Sequence, residues 1–289
     1  MREGRIFHTF NALRGVAALG VVCFHLRRGW FPGAYLAVDL FFVLSGFVLA
    51  FAHDDQFAGG LTWGRFLAQR VIRLWPLYAL GVAIAVVSAA VAGDRSLWST
   101  APLQILFLPA QPGPGHAPLY PLDVPAWSLM FELGVNAAWA IFWRWLRGVG
   151  LAIAIAAAGF GLLAMIIHQG SGDVGSFWST VGAGVPRAVF GFLLGVGLFR
   201  LRLTRTPKVT MIGWGGLCGA LGCILMLPLA GTLRTGFDAG FDLVLSPAVI
   251  LAASIVEPPR PAIPFSEWLG AISYPIYAVH WPLIEAFEA

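Results

Sequence analysis

Long apolar runs separated by short polar stretches are the dominant pattern of this sequence. A helix needs about 20 apolar residues to cross the hydrocarbon core of a bilayer. The candidate segments are residues 9–27, 36–52, 70–93, 125–146, 149–168, 177–200, 209–231, 241–257 and 266–287. The pattern therefore predicts an all-α fold, a polytopic transmembrane helix bundle of about nine spans that forms one domain over residues 1–289.

The composition supports a membrane protein rather than a soluble one. Of the 289 residues, 58% are hydrophobic and 11% are charged, and the mean hydropathy is +0.80. Soluble domains carry roughly 25% charged residues. Cys23, Cys218 and Cys223 all lie within apolar runs, so the sequence predicts neither a disulfide framework nor a metal site.

The distribution of lysine and arginine predicts the orientation of the bundle, because cytoplasmic loops of membrane proteins carry an excess of both. With the N-terminus inside, inner segments hold 13 of the 18 such residues, outer loops hold four, and Arg187 lies within a helix. A cytoplasmic N-terminus and, with nine spans, an outer C-terminus follow. The ionisable residues then sort by depth into an outer acid–base group (His25, Asp39, Glu132, Arg187, His280) and an inner cationic group (Arg14, Arg70, Arg73).

Three ionisable residues in the first two predicted helices stand in apolar surroundings, where such groups are costly and mark functional positions. Arg14 and His25 are 11 residues apart, so they share a helix face and differ in depth by roughly 16 Å. Asp39 begins the next helix near the level of His25. We expect Asp39 to orient the imidazole of His25, which then acts as a general base. Taken singly, Arg14 and His25 also fit interfacial anchors.

Two later helices carry polar stripes. Ser128, Glu132 and Asn136 lie at i, i+4 and i+8, and Ser273, Tyr277 and His280 lie at i, i+4 and i+7. Such a stripe faces the bundle interior or a cavity, where it forms either a site or a hydrogen-bonded seam between helices. We expect Glu132 to pair with Arg187, to bind a hydroxyl substrate, or to do both at different stages.

Arg70 and Arg73 are i,i+3 neighbours and therefore lie on one face of their helix. One interpretation is ordinary anchoring at the cytoplasmic face of the membrane. The other is a fork that binds phosphate groups, a task that suits the planar guanidinium.

Six short blocks resemble the acyltransferase family 3 membrane proteins. They are LRG at 13–15 with His25, VDLFFVLSGF at 38–47, RVIRLWPLY at 70–78, PAWSL at 125–129 with Glu132, PR at 186–187 with GFLLG at 191–195, and ISYPIY at 272–277 with HWP at 280–282. The blocks occur in the expected order along nearly the whole chain. The family includes O-acetyltransferases of lipopolysaccharide, exopolysaccharide and peptidoglycan. The resemblance implies transfer of an acyl group, usually acetyl from cytoplasmic acetyl-CoA, to a glycan hydroxyl.

The resemblance also implies roles for individual residues. The catalytic residues are then His25, Asp39 and Glu132, the residues that bind acyl-CoA are Arg14, Ser45, Arg70 and Arg73, and the contacts to substrate or oxyanion are Ser128, Arg187, Tyr277 and His280. No metal is implied. The expected partners are membrane lipid and a glycan or lipid-linked glycan, not nucleic acid, and the expected location is the bacterial inner membrane. Direct transfer and transfer through an acyl-histidine both remain open.

Other interpretations of the same residues stay open. Intramembrane His, Asp, Glu and Arg also build proton-coupled transporters of small metabolites, and a non-catalytic scaffold descended from an enzyme is a third alternative. The chain ends nine residues after His280, whereas members of the resembled family usually continue through a tenth helix. That difference predicts either a compact variant or an incomplete chain. The outer loop at 93–124 is the segment we expect to recognise the acceptor.

Overall fold

The computed structural model describes residues 6–27, 29–93, 96–111, 117–201 and 207–288. The helices in this part of the chain are α1 (His8–Leu26), α2 (Leu36–Ala58), α3 (Trp63–Val91), α4 (Ala101–Gln104), α5 (Trp127–Phe142), α6 (Gly148–Gln169), α7 (Val181–Leu201), α8 (Met211–Leu225), α9 (Gly231–Gly240), α10 (Ser246–Ala253) and α11 (Ile263–Glu288). A π-helical stretch, Phe241–Leu245, joins α9 to α10. Two short strands, β1 (Lys208–Val209) and β2 (Val256–Glu257), pair in parallel.

Every apolar segment predicted from the sequence falls on a helix, so the all-α expectation is confirmed. Among the described residues, six helical stretches are long and apolar enough to cross a membrane: His8–Leu26, Leu36–Ala58, Trp63–Val91, Gly148–Gln169, Trp178–Leu201 and Gly231–Ala253. Helices α5 and α8 have 16 and 15 residues and are shorter than a full span. The count of nine spans therefore stays a prediction.

Close helix packing in the bundle depends on glycine. A Cβ atom at Gly46 of α2 would lie 1.9 Å from the carbonyl oxygen of Phe192, and one at Gly195 of α7 would lie 2.0 Å from that of Val43. Helices α3 and α11 meet in the same way, because a Cβ at Gly81 would lie 2.4 Å from the carbonyl oxygen of Ala278. Small residues of this kind let the backbones of membrane helices approach each other. They hold α2 against α7 and α3 against α11. These four helices carry most of the site residues predicted from the sequence.

The described parts of the segment between α3 and α5, which the sequence predicted to be an outer loop that recognises the acceptor, pack into the bundle; the side of the membrane stays a prediction. The Tyr78 hydroxyl of α3 donates to the backbone carbonyl of Gln104, and the Gln104 side chain accepts from the backbone N–H of Leu122 at 3.1 Å. The hydroxyl of Tyr120 donates to the carbonyl of Phe107 at 2.6 Å. These buried bonds fix the chain that leads into α5.

Several residues behind the predictions lie outside the described residues. They are Arg2, Arg5, Arg28, Arg95, Arg202 and Arg205, which entered the prediction of orientation, together with parts of the predicted acceptor loop, 94–95 and 112–116.

Candidate active site

Five of the predicted site residues come together between α1, α2, α3 and α5. One carboxylate oxygen of Glu132 accepts from Arg70 Nη2 at 2.8 Å and from Ser45 Oγ at 2.9 Å. Arg14 and Arg73 both interact electrostatically with Glu132 and with Arg70. We name Arg14, Ser45, Arg70, Arg73 and Glu132 the cationic centre. Three guanidinium groups face one carboxylate there, so positive charge remains available to an anionic ligand.

The cationic centre lies deeper in the bundle than the sequence suggested. Helix α3 begins at Trp63, so Arg70 lies seven residues along it, roughly 10 Å from its N-terminal end. The Arg70 side chain is 10% exposed and that of Glu132 is 20% exposed, whereas Arg73 is exposed. Glu132, predicted to belong to the outer group, thereby joins the inner cationic residues. The expected pair between Glu132 and Arg187 is not formed.

Asp39 and Arg187 form a separate, fully buried ion pair. Arg187 Nε donates to Asp39 Oδ1 at 2.9 Å and Arg187 Nη2 donates to Oδ2 at 2.6 Å. The guanidinium also donates to the backbone carbonyls of Val174 and Tyr35 and lies 5.2 Å from the ring centroid of Trp127. Bidentate pairing of this kind is strong and geometrically specific.

This ion pair corrects two expectations for the site. Within the described residues no hydrogen bond joins Asp39 to His25, because both carboxylate oxygens face α7. The donors of Arg187 are directed at Asp39 and two carbonyls, so this arginine does not face the other candidate residues as an oxyanion contact. The physical reason is the glycine-mediated approach of α2 to α7, which brings Arg187 to the carboxylate.

His25 instead contacts His280. The Nε2 atom of His280 lies 3.0 Å from Nδ1 of His25, and Nδ1 of His280 lies 2.8 Å from the backbone carbonyl oxygen of Tyr277. A carbonyl oxygen only accepts, so Nδ1 of His280 carries the hydrogen and, in the neutral ring, Nε2 accepts. His25 therefore donates from Nδ1, and the lone pair of its neutral ring lies on Nε2. His280 thus occupies the position beside His25 that the sequence analysis gave to Asp39.

Ser128 and Tyr277 connect the two groups. Their hydroxyl oxygens are 2.6 Å apart. The carbonyl oxygen of Pro125 lies 3.0 Å from the Ser128 hydroxyl and 3.2 Å from the Tyr277 hydroxyl. One hydroxyl can therefore donate to Pro125 while the other hydroxyl donates to the first. Ser128 lies four residues before Glu132 on α5, a rise of about 6 Å. Tyr277 lies one turn from His280 on α11, with ring centroids 5.8 Å apart. A line of polar side chains therefore runs from the cationic centre to the histidine pair.

Sequence reasoning missed Asp123, which comes directly before the Val124–Ala126 turn that leads into α5. It is 1% exposed, and its Oδ1 atom has no hydrogen-bond partner in the part of the chain that the structure describes. It interacts electrostatically with Tyr274 and Tyr277 of α11. The sequence analysis treated residues 93–124 only as a loop that recognises the acceptor and assigned no role to Asp123.

The residues present suit a phosphate-bearing donor better than a metal. Within the described part of the chain, no group of three or more His, Cys, Asp and Glu side chains could hold a metal ion. By contrast, Arg70 has a buried Nε atom without a partner in addition to its bond to Glu132. Guanidinium groups with unused donors bind phosphate oxygens well.

A family model and individual known proteins both show that this chain is similar to acyltransferases. A family model described as an acyltransferase domain matches residues 7–289. A Rhizobium radiobacter protein named protein 2 in picA locus is 39% identical over 161 residues, which are 48% of this chain and 82% of that protein. The peptidoglycan O-acetyltransferase OatA of Listeria monocytogenes is 25% identical over 305 aligned positions, which cover 96% of this chain and 49% of OatA. No solved structure matches this chain significantly.

Proposed function

Because this chain belongs to the acyltransferase family whose domain covers nearly all of it, we propose that it transfers an acyl group from cytoplasmic acyl-CoA to a hydroxyl of a cell-envelope glycan. Acetyl is the proposed acyl group, because OatA, similar over most of this chain, is named as an O-acetyltransferase of peptidoglycan. The single observation that carries the proposal is the line of polar side chains between the cationic centre and the histidine pair.

Donor binding is assigned to the cationic centre. The phosphates of acyl-CoA would be held by Arg14, Arg70 and Arg73, with Arg73 at the exposed side. The pantetheine arm would then extend along the line of polar side chains towards His25. The rise of roughly 16 Å from Arg14 to His25 is of the same order as that arm. Ser45 donates a hydrogen bond to Glu132. The single negative charge of Glu132 keeps the three arginines close together but does not neutralise all of them.

Transfer is assigned to the histidine pair. The lone pair on Nε2 of His25 takes the proton of the acceptor hydroxyl as that oxygen attacks the thioester carbonyl. His280 accepts from Nδ1–H of His25 and so holds the ring in the required tautomer. The hydroxyl groups of Ser128 and Tyr277 are positioned to donate to oxygen atoms of the reacting groups. Direct transfer and an acyl-histidine intermediate use the same residues.

The proposed setting is the bacterial inner membrane, with nine spans and a cytoplasmic N-terminus. The six long apolar helices and the bias of lysine and arginine towards the inner segments support it. Membrane lipid and a glycan or lipid-linked glycan are the proposed partners.

Transfer of radiolabel from acetyl-CoA to glycan tests the function in membranes that contain the protein. His25→Ala should lower the rate by about 10²–10⁴-fold, the usual contribution of a general base. His168→Ala is the matched control, because His168 is exposed near the end of α6. Equal transfer by the wild type and His25→Ala, or no transfer by the wild type, would overturn the proposal.

A further inference from the structure

Among the described residues, one carboxyl oxygen of Asp123, Oδ1, is buried without a hydrogen-bond partner. The backbone around it is fixed: its N–H donates to the carbonyl of Tyr120 at 3.2 Å, and its carbonyl accepts from Ala126 at 2.9 Å. The side chain, in a residue that is only 1% exposed, has an Oδ1 atom without a partner. Buried polar groups in proteins are nearly always hydrogen-bonded, so an exception requires an explanation.

The groups around Asp123 do not supply that partner. In the described residues, the titratable groups that face it are Tyr78 from α3 and Tyr274 and Tyr277 from α11. The Tyr78 and Tyr274 hydroxyls donate to the backbone carbonyls of Gln104 and Leu74, and the Tyr277 hydroxyl is shared with Ser128 and Pro125. No described cation forms an ion pair with Asp123.

A carboxylate in such a place would be an unpaired buried charge, which is too costly to persist, so the group takes up a proton instead. Burial accordingly raises the pKa of the Asp123 carboxyl well above its usual range. A neutral carboxylic acid has an O–H donor, which a carboxylate lacks. Neutral carboxylic acids of this kind can donate hydrogen bonds to developing oxyanions in enzyme sites.

We propose that Asp123 contacts the substrate as a neutral carboxylic acid and donates a hydrogen bond to the carbonyl oxygen of the thioester. The inference rests on the proposed function. The location of Asp123 supports this role, because it interacts electrostatically with Tyr277, and Tyr277 belongs to the line of polar side chains between the cationic centre and the histidine pair. The developing oxyanion can accept a further hydrogen bond besides those from Ser128 and Tyr277, and Arg187, the third candidate from the sequence, is occupied by Asp39.

The step balances without a further reactant. As the acceptor oxygen attacks the carbonyl carbon, the π electron pair moves onto the carbonyl oxygen and the hydroxyl proton moves to Nε2 of His25. The O–H of Asp123 stabilises that oxygen by hydrogen bonding and keeps its proton. When the carbonyl re-forms, the C–S bond breaks, CoA leaves as the thiolate, and the proton on His25 neutralises it.

Two substitutions of Asp123 separate a donor from other roles. Asp123→Asn keeps a neutral donor of similar size and should retain transfer within about threefold. Asp123→Ala removes the donor and should lower kcat by about 10²–10³-fold while KM for acetyl-CoA changes little. Asp55→Asn is the matched control, because Asp55 is exposed at the cytoplasmic end of α2. Normal kcat in Asp123→Ala, or equal loss in both folded Asp123 variants, would overturn the inference.

The pH profile of the wild type supplies a test that does not need the alanine variant to fold. Because burial raises the pKa of Asp123, the donor is present below that raised pKa and is lost as pH rises through it. Wild-type transfer should therefore fall on the alkaline side, and Asp123→Asn should lose this fall because an amide does not titrate. An unchanged alkaline fall in Asp123→Asn would contradict the inference.

Infrared difference spectroscopy distinguishes failure of this inference from failure of the proposed function. The purified wild type should show the C=O band of a protonated carboxyl group at neutral pH, and Asp123→Asn should lack it. Addition of acetyl-CoA should shift the band, and addition of CoA alone should not. The band and its shift can be measured even if the wild type transfers no label. Absence of the band, or of its shift with acetyl-CoA, would overturn the role proposed for Asp123.

Discussion

Among the arginine–carboxylate pairs that join helices in the described residues, Asp39–Arg187 and Arg70–Glu132 differ most clearly in how completely their hydrogen-bonding groups are used. Arg187 and Asp39 form two mutual bonds, and two carbonyls occupy further donors of the guanidinium. Arg70 and Glu132 share one bond, and Arg70 Nε is buried without a partner. The side chains of the first pair are 1% and 5% exposed, and those of the second are 10% and 20% exposed.

The difference teaches how to separate a structural pair from a binding site of the same chemistry. Asp39 and Arg187 use their hydrogen-bonding groups on each other and on backbone carbonyls, and no further cation lies beside them among the interactions of the described residues, so this pair fastens α2 to α7. The cationic centre has two more arginines and unused donors, and its positive charge exceeds its negative charge. We therefore assign stability to the first pair and donor binding to the second, and each assignment predicts a different result for loss of the arginine.

Arg187→Ala should have the largest effect on stability. It leaves the carboxylate of Asp39 buried without a partner, which costs about 3–5 kcal/mol when one member of a buried pair is removed. Denaturant unfolding in detergent should show that loss in the free energy of unfolding. The double variant Asp39→Leu with Arg187→Met should recover most of it, because no unpaired charge remains.

Arg200→Ala supplies the control for this experiment. Arg200 pairs with Asp54, but those side chains are 17% and 15% exposed, so water can hydrate the carboxylate left behind. We expect a smaller loss than for Arg187→Ala. Equal losses of unfolding free energy in the two variants, or wild-type stability in Arg187→Ala, would contradict the distinction between a fully buried pair and a partly exposed one.

Arg70→Ala should act mainly on donor binding. We expect kcat/KM for acetyl-CoA to fall about 100-fold, equivalent to about 2.7 kcal/mol of binding, with most of the change in KM. The free energy of unfolding should change much less than in Arg187→Ala. Arg65→Ala is the matched control, because Arg65 is exposed on the same helix. A KM equal in both variants would remove Arg70 from the donor site.

The two pairs also show what sequence could and could not predict. The apolar pattern located the helices, because the long helices form over runs of apolar residues. The block at 70–78 indicated the cationic group. Whether Asp39 meets His25 or Arg187 depends on the rotation of α2 about its axis. That rotation is set by the contacts of Gly46 and Gly195, which join residues about 150 positions apart.

Asp123 shows a second limit of prediction from the sequence. Pro- and Gly-rich composition between α3 and α5 is typical of an exposed loop, and nothing local indicates burial. The structure buries Leu119, Tyr120 and Asp123 in a segment where Leu122 donates to Gln104 and Tyr78 of α3 donates to the carbonyl of Gln104. These bonds join residues 18 and 26 positions apart, so no local pattern in the sequence predicts them.

His280→Leu should give the smallest of these effects and tests whether the histidine pair is a functional unit. The neutral imidazole of His280 accepts from His25, so its loss leaves His25 free to adopt the other tautomer. We expect kcat to fall about tenfold with little change in the KM for acetyl-CoA, since the cationic centre is untouched. His280→Gln keeps an acceptor and should recover part of the rate, which a purely structural role would not produce. A parallel loss in both variants, or a rise in KM without a change in kcat, would show that His280 does not orient His25.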